Sequence, residues 1–332
     1  MMKAIVFDEI GSPQDVLKIR DVPIPEVKAG EALVKMGVAS INPGDFLFIQ
    51  DLYPEPRKPV FPQQIAGNHG AGVVERAGPG VDLAPGTLVA FSHERLWAEY
   101  AVVPANRLIA LPADFPIEKA SQFVNLITAR DMLHQSEIQA GQWLAVTAGN
   151  STVGVMLLQM AKQKQIHVVS IVRNKREDLD LQALGADEVI ELSALPESLG
   201  DRIGRITDGA GIHAVIDCVG GSLMGDLIRG LAFGGRAIIY GGMSAETFPL
   251  HNFDILMRGV QVSSYVYRYF FDPTTPEDAP MLQELISIAQ SPEFVVPVAG
   301  LHALEDFQVA ITETAMRPER GKRFFAISSA NG

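Results

Sequence analysis

The sequence predicts a two-part α/β chain, with an N-terminal β barrel or curled sheet followed by a doubly wound parallel sheet. Three observations predict it. Up to about residue 120, short apolar runs alternate with Gly/Pro turns, as in Ala32–Val38, Gly72–Glu75 and Thr87–Phe91 separated by Pro43-Gly44, Gly78-Pro-Gly80 and Pro85-Gly86. From about 120 to 265 the period changes, and strands alternate with helical stretches in the manner of a parallel sheet. Within that second region an apolar strand runs into a tight turn of small residues and then a helix, Gln142-Trp-Leu-Ala-Val-Thr-Ala-Gly-Asn-Ser-Thr-Val-Gly154 followed by Val155–Ala161.

The elements follow in order. Met1–Asp8 starts directly as a strand, without a signal-peptide or transit-peptide pattern. In the second region the expected strands are Leu144–Thr147, Val168–Val172, Glu188–Glu191, Ala214–Cys218 and Ala237–Tyr240. Each ends near a small or polar residue, where the ligand crevice of an open sheet lies. Helices are expected at Lys175–Ala183 and Ser222–Leu231, and beyond residue 266 at Pro280–Gln290. The closing segment Arg320–Ile327 is expected to pair back against the first domain. The domain boundaries read as 1–120, 121–265 and 266–332.

Composition narrows the function classes. The formal net charge of −12 argues against a general nucleic-acid or anionic-membrane binder, although it leaves room for a local basic pocket. No apolar run reaches membrane length. Cys218 is the only cysteine, so neither an intrachain disulfide nor a cysteine-based zinc site forms within one subunit. A reducing, cytoplasmic setting is the expectation. The seven histidines show no ligand spacing.

The strand–turn–helix at residues 142–161 carries the chemistry. Small residues let the backbone approach a pyrophosphate, and the unpaired N–H groups and dipole of the following helix favour the anion. Gly149 and Gly154 are the glycines of the turn, and Asn150, Ser151, Thr152 and Val153 fill the rest, an incomplete Gly-x-Gly-x-x-Gly fingerprint placed in the expected context. The next strand ends in Arg173-Asn174-Lys175-Arg176 rather than in an acidic residue. A basic cluster suits a 2′-phosphate, so the chain reads as a user of NADPH. An ordinary βα turn with no nucleotide is the competing reading.

Several segments together carry a family resemblance. They are Ile41-Asn-Pro-Gly-Asp45 with Ile49-Gln50 and Tyr53, Gly67-Asn68-His69-Gly70, Val124-Asn125 with Thr128-Ala129, Asn150–Gly154, Val172-Arg173, Leu184-Gly-Ala186, Cys218-Val-Gly-Gly221 and Tyr240-Gly-Gly-Met243. On these, the chain resembles the medium-chain dehydrogenase/reductases over essentially its full length. Within them it is most similar to the zinc-free, mitochondrial-type trans-2-enoyl thioester reductases, with quinone oxidoreductases as looser relatives. The resemblance implies a GroES-like N-terminal domain, a Rossmann domain and a C-terminal return to the first. It also implies a homodimer through the Rossmann sheet. Zinc-dependent cousins carry Cys and His where this chain has Asn42 and Asn68, which are poor zinc ligands, so a metal-free enzyme is implied. The chain departs from the reductases at Ser151-Thr152, at His69 where they carry Glu, and at Val262–Arg268 where they carry a Trp-containing aromatic run.

The implied reaction is NADPH-dependent reduction of the C=C bond of an enoyl-CoA or enoyl carrier-protein thioester. Tyr53 is the candidate proton donor, since a phenol with a reference pKa near ~10 stays protonated at neutral pH. Asn42 is the candidate for positioning the tyrosine or the carbonyl. Each has a plain alternative: a loop aromatic among prolines for Tyr53, and an Asn-Pro turn former for Asn42. Asn125 and Thr128 are implied near the nicotinamide ribose, with a helix N-cap as the alternative for Asn125. Cys218-Val219 and Tyr240-Gly241-Gly242-Met243 follow strands and suit close approach to the cofactor, or form plain turns. Tyr265 and Tyr267 stack near the nicotinamide or fill an interface. Lys322 meets the cofactor by resemblance, or is a solvated charge. Cys218 has no visible base and reads as a small buried hydrophobe rather than a nucleophile. An NADPH:quinone or enone reductase, and an NADPH-binding protein without turnover, are the two competing functions.

Overall fold

Residues 1–52, 58–317 and 320–327 are described by the computed structural model of the chain, and the fold separates into two units. Unit one takes Met1–Val124 together with Arg268–Gly332, and unit two takes Asn125–Tyr267.

Unit one begins with β1 (Met2–Phe7), the short helix α1 (Pro13–Val16), β2 (Lys18–Val22), β3 (Glu31–Ser40), α2 (Pro43–Ile49) and β4 (Gln64–Ile65). It continues through β5 (His69–Ala77), β6 (Leu88–Ser92), β7 (Tyr100–Pro104), β8 (Ile109–Ala110) and the helical turn α3 (Ile117–Ala120). A small sheet runs β2-β1-β4, and β3 lies at the centre of a larger one, paired antiparallel with β5 and β7.

Unit two opens with α4 (Phe123–Gln135), whose first two residues belong to unit one, then β9 (Trp143–Thr147), α5 (Thr152–Gln163), β10 (His167–Val172) and β11 (Glu188–Glu191). After α6 (Leu199–Ile206) come β12 (Ile212–Asp217), α7 (Gly221–Arg229), β13 (Leu231–Ile239), α8 (Asn252–Leu256) and β14 (Gln261–Ser264). Its sheet is parallel throughout, in the order β11-β10-β9-β12-β13-β14. That is the 3-2-1-4-5-6 order of a Rossmann sheet, and the order reverses at β9, so the crevice lies outside the carboxyl ends of β9, β10 and β12. The central strands read as near-continuous apolar runs and are buried along most of their length, because both sheet faces are covered. Ile171, Val215, Met224 and Leu227 belong to a core between this sheet and helices α6 and α7.

The chain then returns to unit one through α9 (Ala279–Gln290), β15 (Val298–His302), α10 (Phe307–Met316) and β16 (Lys322–Ala326). β16 pairs parallel with β15 and antiparallel with β3, matching Phe324 to Ser40 and Phe325 to Ala39. Phe325 is fully buried and meets the Trp97 ring edge-on at 5.1 Å. The Trp97 indole donates to the Ser40 carbonyl at 3.2 Å. The closing segment is therefore part of the core that unit one builds from β1, β3 and β5.

Three expectations need correction. No helix forms at Lys175–Ala183, which is a run of turns. Acidic side chains there take donors that a helix needs or hold its cations: Asp180 accepts the Ala183 N–H, and Asp178 clamps Arg176. The helix expected to reach Leu231 stops at Arg229, because Gly230 caps it and Leu231 already starts β13. Tyr240, read as the end of that strand, lies just past it and donates its N–H to the Asp217 carbonyl at 2.9 Å. No helix among the described residues is long and apolar enough to cross a membrane.

Replacing Phe325 with alanine should cost about 3–5 kcal/mol of stability, the range for emptying a buried aromatic site. Urea unfolding followed by tryptophan fluorescence checks it, and a loss below about 1 kcal/mol would mean that β16 is not core.

Candidate functional site

The turn after β9 is built by close packing. A Cβ on Gly149 would stand 2.0 Å from the Ser170 hydroxyl on β10, and one on Gly154 would stand 2.7 Å from the carbonyls of Ala148 and Gly149. Glycine is kept at these two positions because a neighbouring strand and the turn's own backbone occupy the space. Ser151, at the middle position of the fingerprint, is the N-cap of α5, and its hydroxyl accepts the Gly154 N–H at 3.1 Å. Thr152 and Val153 follow it in the first turn, where backbone N–H groups have no partner within a helix. The turn thus retains the anion-binding end of a helix despite having two glycines.

The basic segment after β10 divides. Arg173 and Lys175 are exposed, and the Lys175 backbone N–H is held by Glu191 at 3.0 Å. Asn150 reaches across from the first turn, its amide donating to the Asn174 carbonyl at 3.3 Å. Arg176 is withdrawn, its guanidinium bound in two places to Asp178. Among the described residues, Arg173 and Lys175 carry no such clamp.

At the end of β12, a buried carboxyl that the sequence reading passed over organises the crevice. Asp217 Oδ1 accepts the Thr147 hydroxyl at 2.7 Å and the Val219 N–H at 3.1 Å, and Oδ2 accepts the Gly220 N–H at 2.9 Å. The Thr147 hydroxyl in turn accepts the Cys218 N–H at 3.1 Å. The available signal was a polar residue at the carboxyl end of each of two apolar strands flanking the switch point. Two backbone bonds join the next turns, Met243 N–H to the Cys218 carbonyl and Ser244 N–H to the Val219 carbonyl. Burial pushes the Cys218 thiol up to about 11, so it stays protonated at neutral pH. The phenol of Tyr240 is raised well above its ordinary value, first by burial.

Gly149–Gly154, Arg173–Lys175, Cys218-Val219 and Tyr240–Met243 therefore all lie on turns at the carboxyl edge of one sheet. Asn125 lies inside the first turn of α4 rather than capping it, and Thr128 is buried one turn further on. The Tyr265 hydroxyl is anchored on Asp131 of α4 at 3.1 Å, which fixes where that ring sits. Tyr267 is partly buried and Met243 is exposed.

In unit one the structure joins two residues far apart in sequence. Lys322 Nζ donates to Asn42 Oδ1 at 2.7 Å and to the Ile41 carbonyl at 3.1 Å. The Asn42 amide donates to the Ser40 hydroxyl at 3.0 Å, and its backbone N–H reaches Asp45 Oδ2 at 2.7 Å. Asp45 is 1% exposed. Burial raises its carboxyl to about 7, with the Asn42 and Asn68 backbone N–H groups and the Lys322 charge pulling the other way. Burial lowers Lys322 to about 8, with the Asp45 charge opposing. Tyr53 lies outside the described residues.

Residues 28–113 match the alcohol dehydrogenase GroES-like domain, and residues 152–286 match the zinc-binding dehydrogenase family. The human mitochondrial enoyl-[acyl-carrier-protein] reductase is 30% identical over 96% of this chain and 86% of its own length. The chain belongs to the medium-chain dehydrogenase/reductase superfamily. Among solved structures, a candidate NADPH:quinone reductase from Bacillus thuringiensis is 25% identical and superposes with a TM-score of 0.87, covering 98% of this chain and 99% of that one. A mycobacterial protein complexed with NADPH is 26% identical with a TM-score of 0.84, covering 98% and 100%. The fold class read from the sequence is thus the one observed, and the protein is an oxidoreductase of this superfamily.

Zinc is named in the description of one matching family. Cys218 lies in unit two, Asn42 and Asn68 stand in unit one, and Asn42 Oδ1 already faces an ammonium. Among the described residues no group of three or more His, Cys, Asp or Glu side chains is arranged to hold a metal. A dinucleotide suits this chain, because the first turn of α5 presents backbone N–H groups at the carboxyl edge of the sheet.

The Gly149→Ala protein should be about 1–3 kcal/mol less stable, the usual cost of overpacking a tight site. Ser170→Ala in the same chain should recover part of that loss. A double-mutant cycle by thermal unfolding checks the pair, and strict additivity would mean that the two residues do not press on each other.

Proposed function

We propose that this protein reduces the C=C bond of trans-2-enoyl thioesters, carried on CoA or acyl carrier protein, with NADPH as the hydride source. The observation that carries this reading is full-length likeness to the enoyl-[acyl-carrier-protein] reductases, human and amphibian sequences alike, together with a phosphate turn bordered by cations. The N–H groups of Thr152 and Val153 would hold the pyrophosphate, and Arg173 and Lys175 the 2′-phosphate. Asn150 holds the two segments together. Thr128, Asn125 and the ring of Tyr265 would border the nicotinamide.

When bound, NADPH supplies the hydride that adds to the β carbon of the enoyl group. The chain's own part is to orient the thioester, stabilise negative charge on its oxygen and deliver a proton to the α carbon. Tyr53 is assigned the proton, and Asn42 the carbonyl oxygen. The alternative is reduction of quinones or simple enones, favoured by the likeness to the Bacillus thuringiensis structure. That chemistry needs the same cofactor site but no thioester recognition.

A homodimer is part of the proposal. β14 is the outer strand of its sheet and is exposed along its whole length. Exposed apolar side chains accompany it: Val262 on the strand itself, with Phe233, Leu256 and Met257 on the preceding elements of unit two. An open edge beside apolar surface is stabilised by pairing with another copy.

Crotonyl-CoA and longer enoyl-CoAs should oxidise NADPH in the presence of the wild-type protein, and Tyr53→Phe should lower kcat by about 100-fold or more, as removal of a general acid does. Quinone reduction that is faster than enoyl-CoA reduction and indifferent to Tyr53→Phe would establish the alternative instead. For the assembly, sedimentation should give a dimer for the wild type and a monomer for Val262→Lys combined with Phe233→Asp, with NADPH binding retained. A wild-type monomer at micromolar concentration would refute that part.

A further inference from the structure

Asn42 can serve a carbonyl only if its amide faces the right way, and a carboxamide has two orientations that differ by exchanging oxygen and NH2. Around Asn42 the choice is decided by its partners. Lys322 carries an ammonium, which donates hydrogen bonds and accepts none, so the atom turned toward it must be Oδ1, at 2.7 Å. The NH2 group is then turned to the Ser40 hydroxyl at 3.0 Å, and that hydroxyl is oriented by donating to the His69 carbonyl at 3.5 Å. A neutral amine at Lys322 could accept as well as donate, and both amide orientations would become available.

We propose that the Lys322 ammonium is a positioning residue which fixes the Asn42 amide with its NH2 presented as donor. The assignment rests on the enoyl reductase reading, in which Asn42 meets the thioester carbonyl. It gives Lys322 work within unit one, using two of its three N–H groups on Asn42 and on the Ile41 carbonyl.

The charged surroundings fit this role. Asp45, on α2, is the charge that acts on Lys322, and it is held beside the site by the Asn42 N–H. Arg323, the next residue on β16, is committed elsewhere, with Nε on Glu313 of α10 at 3.0 Å. His69, at the start of β5, contributes its carbonyl to the Ser40 hydroxyl. Enclosure of the ammonium lowers its pKa to about 8, so its charge is lost within a range that an assay can cover. Removing the Asp45 charge withdraws the one opposing influence, and Lys322 should then deprotonate at lower pH.

The experiment uses the full-length protein. Carbon NMR of the Lys322 ε-carbon, assigned by its absence from Lys322→Arg, is followed against pH without substrate, together with the side-chain NH2 signals of Asn42. The expected result is one shared midpoint near 8, moved to lower pH by roughly one unit in Asp45→Asn. In turnover, kcat should fall along an alkaline limb at the same midpoint, shift likewise in Asp45→Asn, and lose that limb in Lys322→Arg, whose guanidinium stays charged. The proposal is overturned if Lys322 titrates near its ordinary value, if the Asn42 amide ignores that titration, or if the limb persists in Lys322→Arg. Should the wild type reduce no enone, the functional reading fails, and the NMR midpoints still decide whether the ammonium orients the amide.

Discussion

Asp217 is the point on which unit two depends. The strands of a parallel sheet end with free backbone groups, and a crevice at those ends must be held open without burying them unpaired. One enclosed carboxyl answers this by taking the Thr147 hydroxyl from β9 and two N–H groups from the turn after β12. The switch point of the sheet is thereby tied across its two central strands. The same turn is stitched to the one after β13 by backbone bonds from Met243 and Ser244. Three glycine-bearing turns keep one edge because a side chain between them satisfies what the sheet leaves over.

Unit one solves a different problem. Its functional candidates are not held by a sheet edge but by the meeting of β3, α2 and β16. Asn42 follows β3 and starts α2, and Lys322 opens β16. A buried acid and an enclosed base share that junction, and each is displaced from its ordinary titration range by the removal of water. Such groups are costly to bury, and they are retained here next to the Asn42 amide.

The sequence made the fold class legible because apolar runs of two different periods occupy two different regions. Strands such as Glu188–Glu191 were readable to the residue, since the apolar pair Val189-Ile190 is bounded by glutamates. The glycine turn was readable because Gly149 and Gly154 answer to contacts that any Cβ would break. The helix expected at Lys175–Ala183 failed because Asp178 and Asp180 compete locally, which periodicity does not register. Asp217 was missed because one acidic residue closing an apolar strand, paired with Thr147 at the end of another, matches no sequence motif. The Asn42–Lys322 bond spans 280 positions, and only the pairing of β16 on β3 brings the two together.

That pairing has a consequence for biogenesis. Unit two is inserted within unit one, so its six strands are all translated before β16 emerges to lie beside β3. On the ribosome the Rossmann half can close early, whereas the flanking half must wait with the side of β3 that receives β16 uncovered. During that interval Asn42 lacks its ammonium and Trp97 lacks the Phe325 ring. A nascent chain interrupted before β16 would therefore bear a formed nucleotide fold joined to an incomplete and adhesive partner, the kind of intermediate that chaperones retain.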